Sequence, residues 1–110
     1  RFNTPDGSIV FTGDTEPCES VIDLAKDADI MLCMCWDEQS NMEASGEHEG
    51  QCGTSGAAEM AARANVKKLC LVHIGPNLSQ PSVMKSALTG LRDIFKGQIV
   101  FADELDKIEL

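Results

Sequence analysis

The chain contains no tyrosine, one tryptophan and two histidines, His48 and His73, in 110 residues. Basic residues are also scarce, 9 against 18 acidic ones, for a net charge of −9. Nucleic-acid binders use clustered Lys and Arg to displace counterions from phosphates. The one cluster here, Lys67-Lys68, suits the end of a helix. Nucleic acid is therefore not an expected partner, and a small-molecule substrate is. No apolar run approaches the ~20 residues that cross a bilayer, and nothing at the start has the pattern of a secretory leader. No membrane partner and a cytoplasmic location are expected, with a homodimer open. The five cysteines, Cys18, Cys33, Cys35, Cys52 and Cys70, are odd in number and form no C-x-x-C pair. They read as reduced thiols that act as small hydrophobes. There is no internal repeat, and the length allows one domain at most, residues 1–110.

What is present alternates between two periodicities. Asp6-Gly7 signals a hairpin turn between Arg1-Phe2-Asn3 and the apolar run Ile9-Val10-Phe11. That run ends in Gly13-Asp14-Thr15. Thr15 is a candidate N-cap for a helix with Pro17 in its first turn and Val21, Ile22, Leu24 and Ala25 on its apolar face. Ile30 to Trp36 is uninterrupted apolar sequence, as in a strand covered on both faces. Asp37 to Gly53 is polar, with room for a short helix around Glu38 to Ala44. Thr54-Ser55 is expected to cap a helix over Gly56 to Ala64. A strand, Leu69 to His73, follows. Ser82 to Lys96 has helical spacing with Gly97 as its C-cap, and Gln98 to Ala102 is a last strand. Strands alternating with helices define an α/β protein.

A carboxylate at the tip of one buried strand and an imidazole at the tip of another, Asp14 and His73, are candidate metal ligands. An ordinary turn Asp and a hydrogen-bonded strand-end His are the plain alternative.

The ordered string FTGDT, helix, DADIMLCMCW, loop and TSGAAEMAARANVKKLCLVHIGP resembles the C-terminal half of metallo-β-lactamase-fold hydrolases, in the ribonuclease Z, arylsulfatase and phosphodiesterase-like branch. The resemblance runs from about Phe2 to Leu105. It implies part of an αββα sandwich. It also implies that Asp14 bridges two metal ions, zinc by the donor set with iron or manganese compatible, and that His73 is a terminal ligand of one. Two cations about 3.5–4 Å apart lower the pKa of water, so that hydroxide attacks a small ester, phosphodiester or related electrophile such as a haloaromatic.

Departures from the family pattern bear on function. The N-terminal signature His-x-His-x-Asp-His cannot be built from two histidines. The chain is therefore expected to be the C-terminal part of a longer hydrolase, inactive alone. Where that branch carries His-Ser-Thr, this sequence reads Gln51-Cys52-Gly53. Where it carries His-Glu, it reads Cys35-Trp36-Asp37-Glu38. Both changes argue against tRNA processing. His48, just upstream of Cys52, is either a general acid or a solvent-exposed loop residue. Trp36, Cys35 and Cys52 are candidates for substrate contact, with core packing as the alternative for each. A non-catalytic α/β binding or regulatory module is the second functional class. A flavodoxin-like phosphate site is disfavoured by the acidic Gly13-Asp14-Thr15-Glu16.

Overall fold

The computed structural model describes residues 1–110. Nine elements follow one another: β1 (Phe2–Thr4), β2 (Gly7–Phe11), α1 (Glu19–Ala25), β3 (Ile30–Met34), α2 (Gln39–Ser45), α3 (Thr54–Arg63), β4 (Lys68–Val72), α4 (Pro81–Ile94) and β5 (Gln98–Phe101). The five strands form one sheet in the order β1-β2-β3-β4-β5. β1 pairs antiparallel with β2 through a tight hairpin, and the remaining pairs are parallel. Parallel neighbours require long crossovers, which the helices supply. Right-handed crossovers that all step the same way place those helices on a single face. Accordingly α3 lies centrally and packs against α1, α2 and α4. The chain thus builds one helix layer on one sheet.

The register explains which residues fill the space between the layers. Val10, Met31 and Leu69 form one row across the sheet, and Cys33 and Leu71 form the next. All five are fully buried and belong to the core, together with Ala57, Ala58 and Ala61 of α3. Small alanines let α3 approach the sheet closely, while Met and Leu fill the gap. Each large apolar side chain so buried contributes roughly 1.5–3 kcal/mol. No buried side-chain nitrogen or oxygen lacks a hydrogen-bond partner.

The opposite sheet face is also apolar. Phe11, Leu32, Cys70 and Val100 make one row across it. Phe11 is 59% exposed. Near the start of the strands this face meets the C-terminal tail, where Lys68 Nζ donates to the Glu109 carbonyl and Leu110 lies against Gly7.

Several element boundaries differ from the sequence expectation. α1 begins at Glu19 with Cys18 as N-cap; Thr15 lies four positions before Glu19, its hydroxyl donating to the Glu16 carbonyl and its N–H to Met34 Sδ. α3 begins at Thr54 with Gly53 as N-cap, and Thr54 Oγ1 accepts the Gln39 N–H at 3.4 Å. Gly97 does not cap α4, which ends at Ile94 with Phe95 extended. A Cβ at Gly97 would lie 2.3 Å from Phe95 Cζ and 2.5 Å from the Lys67 carbonyl oxygen. This glycine is needed for close packing around a buried phenylalanine.

Candidate functional site

In open parallel sheets ligands gather beyond the carboxyl ends of the strands. The chain places Asp14 and His73 there. Asp14 follows β2, on a loop turned by Gly13 at φ +62°. The loop is held at three points by β3: the Thr12 N–H donates to the Leu32 carbonyl at 3.1 Å, the Met34 N–H donates to Thr12 Oγ1, and Met34 Sδ accepts the Thr15 N–H, the last two at 3.3 Å. His73 is the first residue after β4 and adopts φ +55°, a left-handed conformation that costs a side-chain-bearing residue energy. Such outliers persist where surrounding contacts hold them.

His73 Nδ1 lies 3.0 Å from Asp14 Oδ1. The two side chains are 50% and 68% exposed, so as an ion pair they add little to stability. The spacing has a second meaning. Two donors each at ~2.1 Å from one zinc sit about 3.0–3.4 Å apart. The pair therefore fits a cation in donor type and in separation. It does not fit in number, since no three His, Cys, Asp or Glu side chains of the chain converge closely enough to hold an ion.

A shallow cleft of about 160 Å³ opens at the pair, lined by Phe11, Gly13, Asp14, Met34, Val72 and His73. Phe11, Met34 and Val72 give it apolar walls. Sequence reading did not single out these three as site residues. Their signal is parity, since each falls on the outward row of its strand near its carboxyl end. A larger hollow of about 290 Å³ lies between the starts of α2 and α3 and the side of α4. It has one carboxylate, Glu38, and no imidazole, so size does not mark the candidate site.

The other sequence candidates fall around this cleft in different ways. Trp36 meets the imidazole of His73 edge-on, ring centroids 5.8 Å apart and planes at 67°, but is not part of the cleft lining. Cys35 and Cys52 are fully buried and do not reach it. Burial pushes the Cys35 thiol up. Hydrogen bonding to Cys33, and then burial, pushes the Cys52 thiol up as well. Both are protonated at neutral pH and therefore poor nucleophiles. His48 is exposed on the turn after α2 and makes no side-chain hydrogen bond to Asp14 or His73. Its turn is nevertheless tied to the Asp14 loop, through the Gly50 N–H donating to Glu16 Oε1 at 2.8 Å.

With fold and site in place, comparison with known proteins is specific. Residues 1–74 match the family described as "Beta-lactamase superfamily domain". The chain belongs to that family. It is 33% identical over 109 residues to a ribonuclease Z of Brevibacillus brevis, covering 96% of this chain and 34% of that protein. It is 36% identical over 93 residues to an uncharacterized protein of Mycobacterium leprae, covering 79% of this chain and 30% of that one. The chain thus spans about a third of the length of the curated relatives it matches. Among solved structures it superposes on the metallo-β-lactamase-fold protein YhfI of Bacillus subtilis with TM-score 0.69 at 20% identity, over 86% of this chain and 36% of that one. A long-form RNase Z from yeast gives TM-score 0.53 at 20% identity, over 61% and 9%. The architecture is a part of the metallo-β-lactamase fold, as the sequence resemblance implied.

Proposed function

We propose that this chain is part of a metal-dependent hydrolase and contributes Asp14 and His73 to its metal centre. The observation that carries the reading is the 3.0 Å approach of an imidazole to a carboxylate across the carboxyl ends of two parallel strands. The remaining ligands would come from outside these 110 residues. In a centre of two ions Asp14 would bridge them and His73 would complete one. Imidazole and carboxylate suit zinc, and the same donors accept iron or manganese. The chemistry supplied there would be activation of water as a nucleophile near neutral pH.

This chain's own residues do the rest. Gly13 and Met34 fix the height of the Asp14 carboxylate. Phe11, Met34 and Val72 offer apolar surface to the substrate beside the pair. Support for a proton-transfer role at His48 is the tether between its turn and the Asp14 loop. The net charge of −9 favours a small ester, phosphodiester or haloaromatic over RNA.

Metal analysis of the full-length protein beside these 110 residues tests the reading. The expected result is about two equivalents of zinc, iron or manganese in the former and almost none in the latter. Asp14→Ala should abolish hydrolysis with the fold intact. Full activity and full metal content in that variant would overturn the assignment. A second reading, a binding or regulatory module, is favoured by the presence of only two convergent donors. It predicts no metal in either sample.

A further inference from the structure

We infer that Trp36 is a positioning residue for His73: a latch between the β3–α2 and β4–α4 loops holds its indole against the imidazole, fixing the direction in which that ligand faces. The inference rests on the metal-ligand reading of His73. It assigns to Trp36 a role distinct from substrate contact; the indole is not among the residues that line the Asp14–His73 cleft.

Five observations converge. The indole meets the imidazole edge-on at 5.8 Å, a geometry that aromatic pairs prefer. Behind the indole, Gly75 lies so close that a Cβ there would sit 3.0 Å from the ring and 2.5 Å from the Trp36 carbonyl oxygen. That carbonyl accepts the Gly75 N–H at 2.8 Å. The two loops are joined again one residue on, where Asp37 Oδ1 accepts from Asn77 Nδ2 at 2.8 Å and from the Glu38 N–H at 2.7 Å. The Trp36 N–H donates to the Cys52 carbonyl at 3.0 Å, anchoring the same residue to the start of α3.

The imidazole is half exposed at the end of its strand, so packing against its own element leaves much of the ring unrestrained. Asp14 restrains Nδ1 from one side. Trp36 restrains the ring from another. Metal ligands are commonly oriented by neighbours that are not themselves ligands, and loss of such a neighbour weakens metal binding by about 10- to 100-fold. The usual orienting group is a hydrogen-bond acceptor. Asp14 is itself read as a ligand here, so the neighbour that orients without ligating is the aromatic wall of Trp36.

The test uses the full-length protein and zinc alone, with dissociation constants read by competition against a chromophoric chelator. Trp36→Leu is expected to loosen one zinc equivalent about tenfold, and Gly75→Ala similarly, whereas Trp36→Phe keeps an aromatic edge and should stay near wild type. His73→Ala should loosen the same equivalent. Unchanged zinc affinity in Trp36→Leu, with loosening in His73→Ala, would overturn the positioning role and leave the ligand reading intact. Unchanged affinity in His73→Ala would overturn both. Equal loosening in Trp36→Phe and Trp36→Leu would also count against it, because mere core filling would then suffice. If Trp36→Leu does not fold, Asn77→Ala opens the latch from the solvent side. It should loosen zinc too, and unchanged affinity there would defeat the inference.

Discussion

The N–H of Thr15 donates to the thioether sulfur of Met34 at 3.3 Å, so the residue after Asp14 hangs from the strand beside its own. Sulfur is a weak acceptor, but this one is almost fully buried, away from competing water. It also lines the cleft. Met34→Leu keeps the volume and removes the acceptor. A stability loss of under about 1.5 kcal/mol is expected by urea denaturation. Zinc binding by the full-length protein should weaken more than that small loss suggests, because the Asp14 loop loses an anchor. Unaltered zinc affinity would show that the loop is held by other means.

His73 makes a separate prediction about the backbone. At φ +55° a side chain costs about 1 kcal/mol that glycine does not incur. His73→Gly and His73→Ala both remove the ring, so their difference isolates the conformation. The glycine variant should be the more stable by about 1 kcal/mol in chemical denaturation. Equal stabilities would mean that the loop relaxes away from the left-handed region once the imidazole is gone.

Gly56 sets helix propensity against packing. In the first turns of α3, alanine would gain about 1 kcal/mol on propensity. Its Cβ would however stand 2.6 Å from Pro17 Cγ and 3.0 Å from Gln39 Oε1. Overpacking of this kind costs about 1–3 kcal/mol. The clash with a rigid ring should win, leaving Gly56→Ala less stable than wild type by urea midpoint. A more stable variant would mean that the Pro17 loop yields.

Asp29 is expected to contribute to acid stability. Lys67 Nζ at 2.6 Å and the Ser8 N–H at 2.7 Å hold its carboxyl down to about 2, against an ordinary 3.8. The lowered value means that the folded state favours the ionised form. The contribution is present in full above pH 3.8 and is lost as pH falls toward 2. Asp29→Asn should flatten the fall in unfolding midpoint across that window. An unchanged profile would assign acid lability to other carboxylates.

Much of this was legible in the residues. Uninterrupted apolar runs such as Ile30 to Trp36 announced strands buried on both faces, and the alternation with helices announced an α/β architecture. Asp14 and His73 stood out because each closes such a run. What the sequence hid was decided by tertiary contact. Thr15 looks like a helix cap, yet its N–H is drawn to a methionine nineteen positions on. Gly97 looks like a helix stop and instead makes room for Phe95. Trp36 looked like a substrate wall, and only the fold shows its indole against His73. Linear spacing carries no information about which loop leans on which.

The order of strands across the sheet is also their order along the chain. Each strand docks on the one made just before it, and no later strand must be inserted between two earlier ones. During synthesis the sheet can therefore grow from one edge as the polypeptide emerges, keeping loop closures short. The Asp14–His73 junction spans two strands separated by β3, so it closes only after β4 and the loop behind it have left the ribosome. On the proposed reading, metal capture by these residues would in that sense report that the sheet has been laid down in sequence.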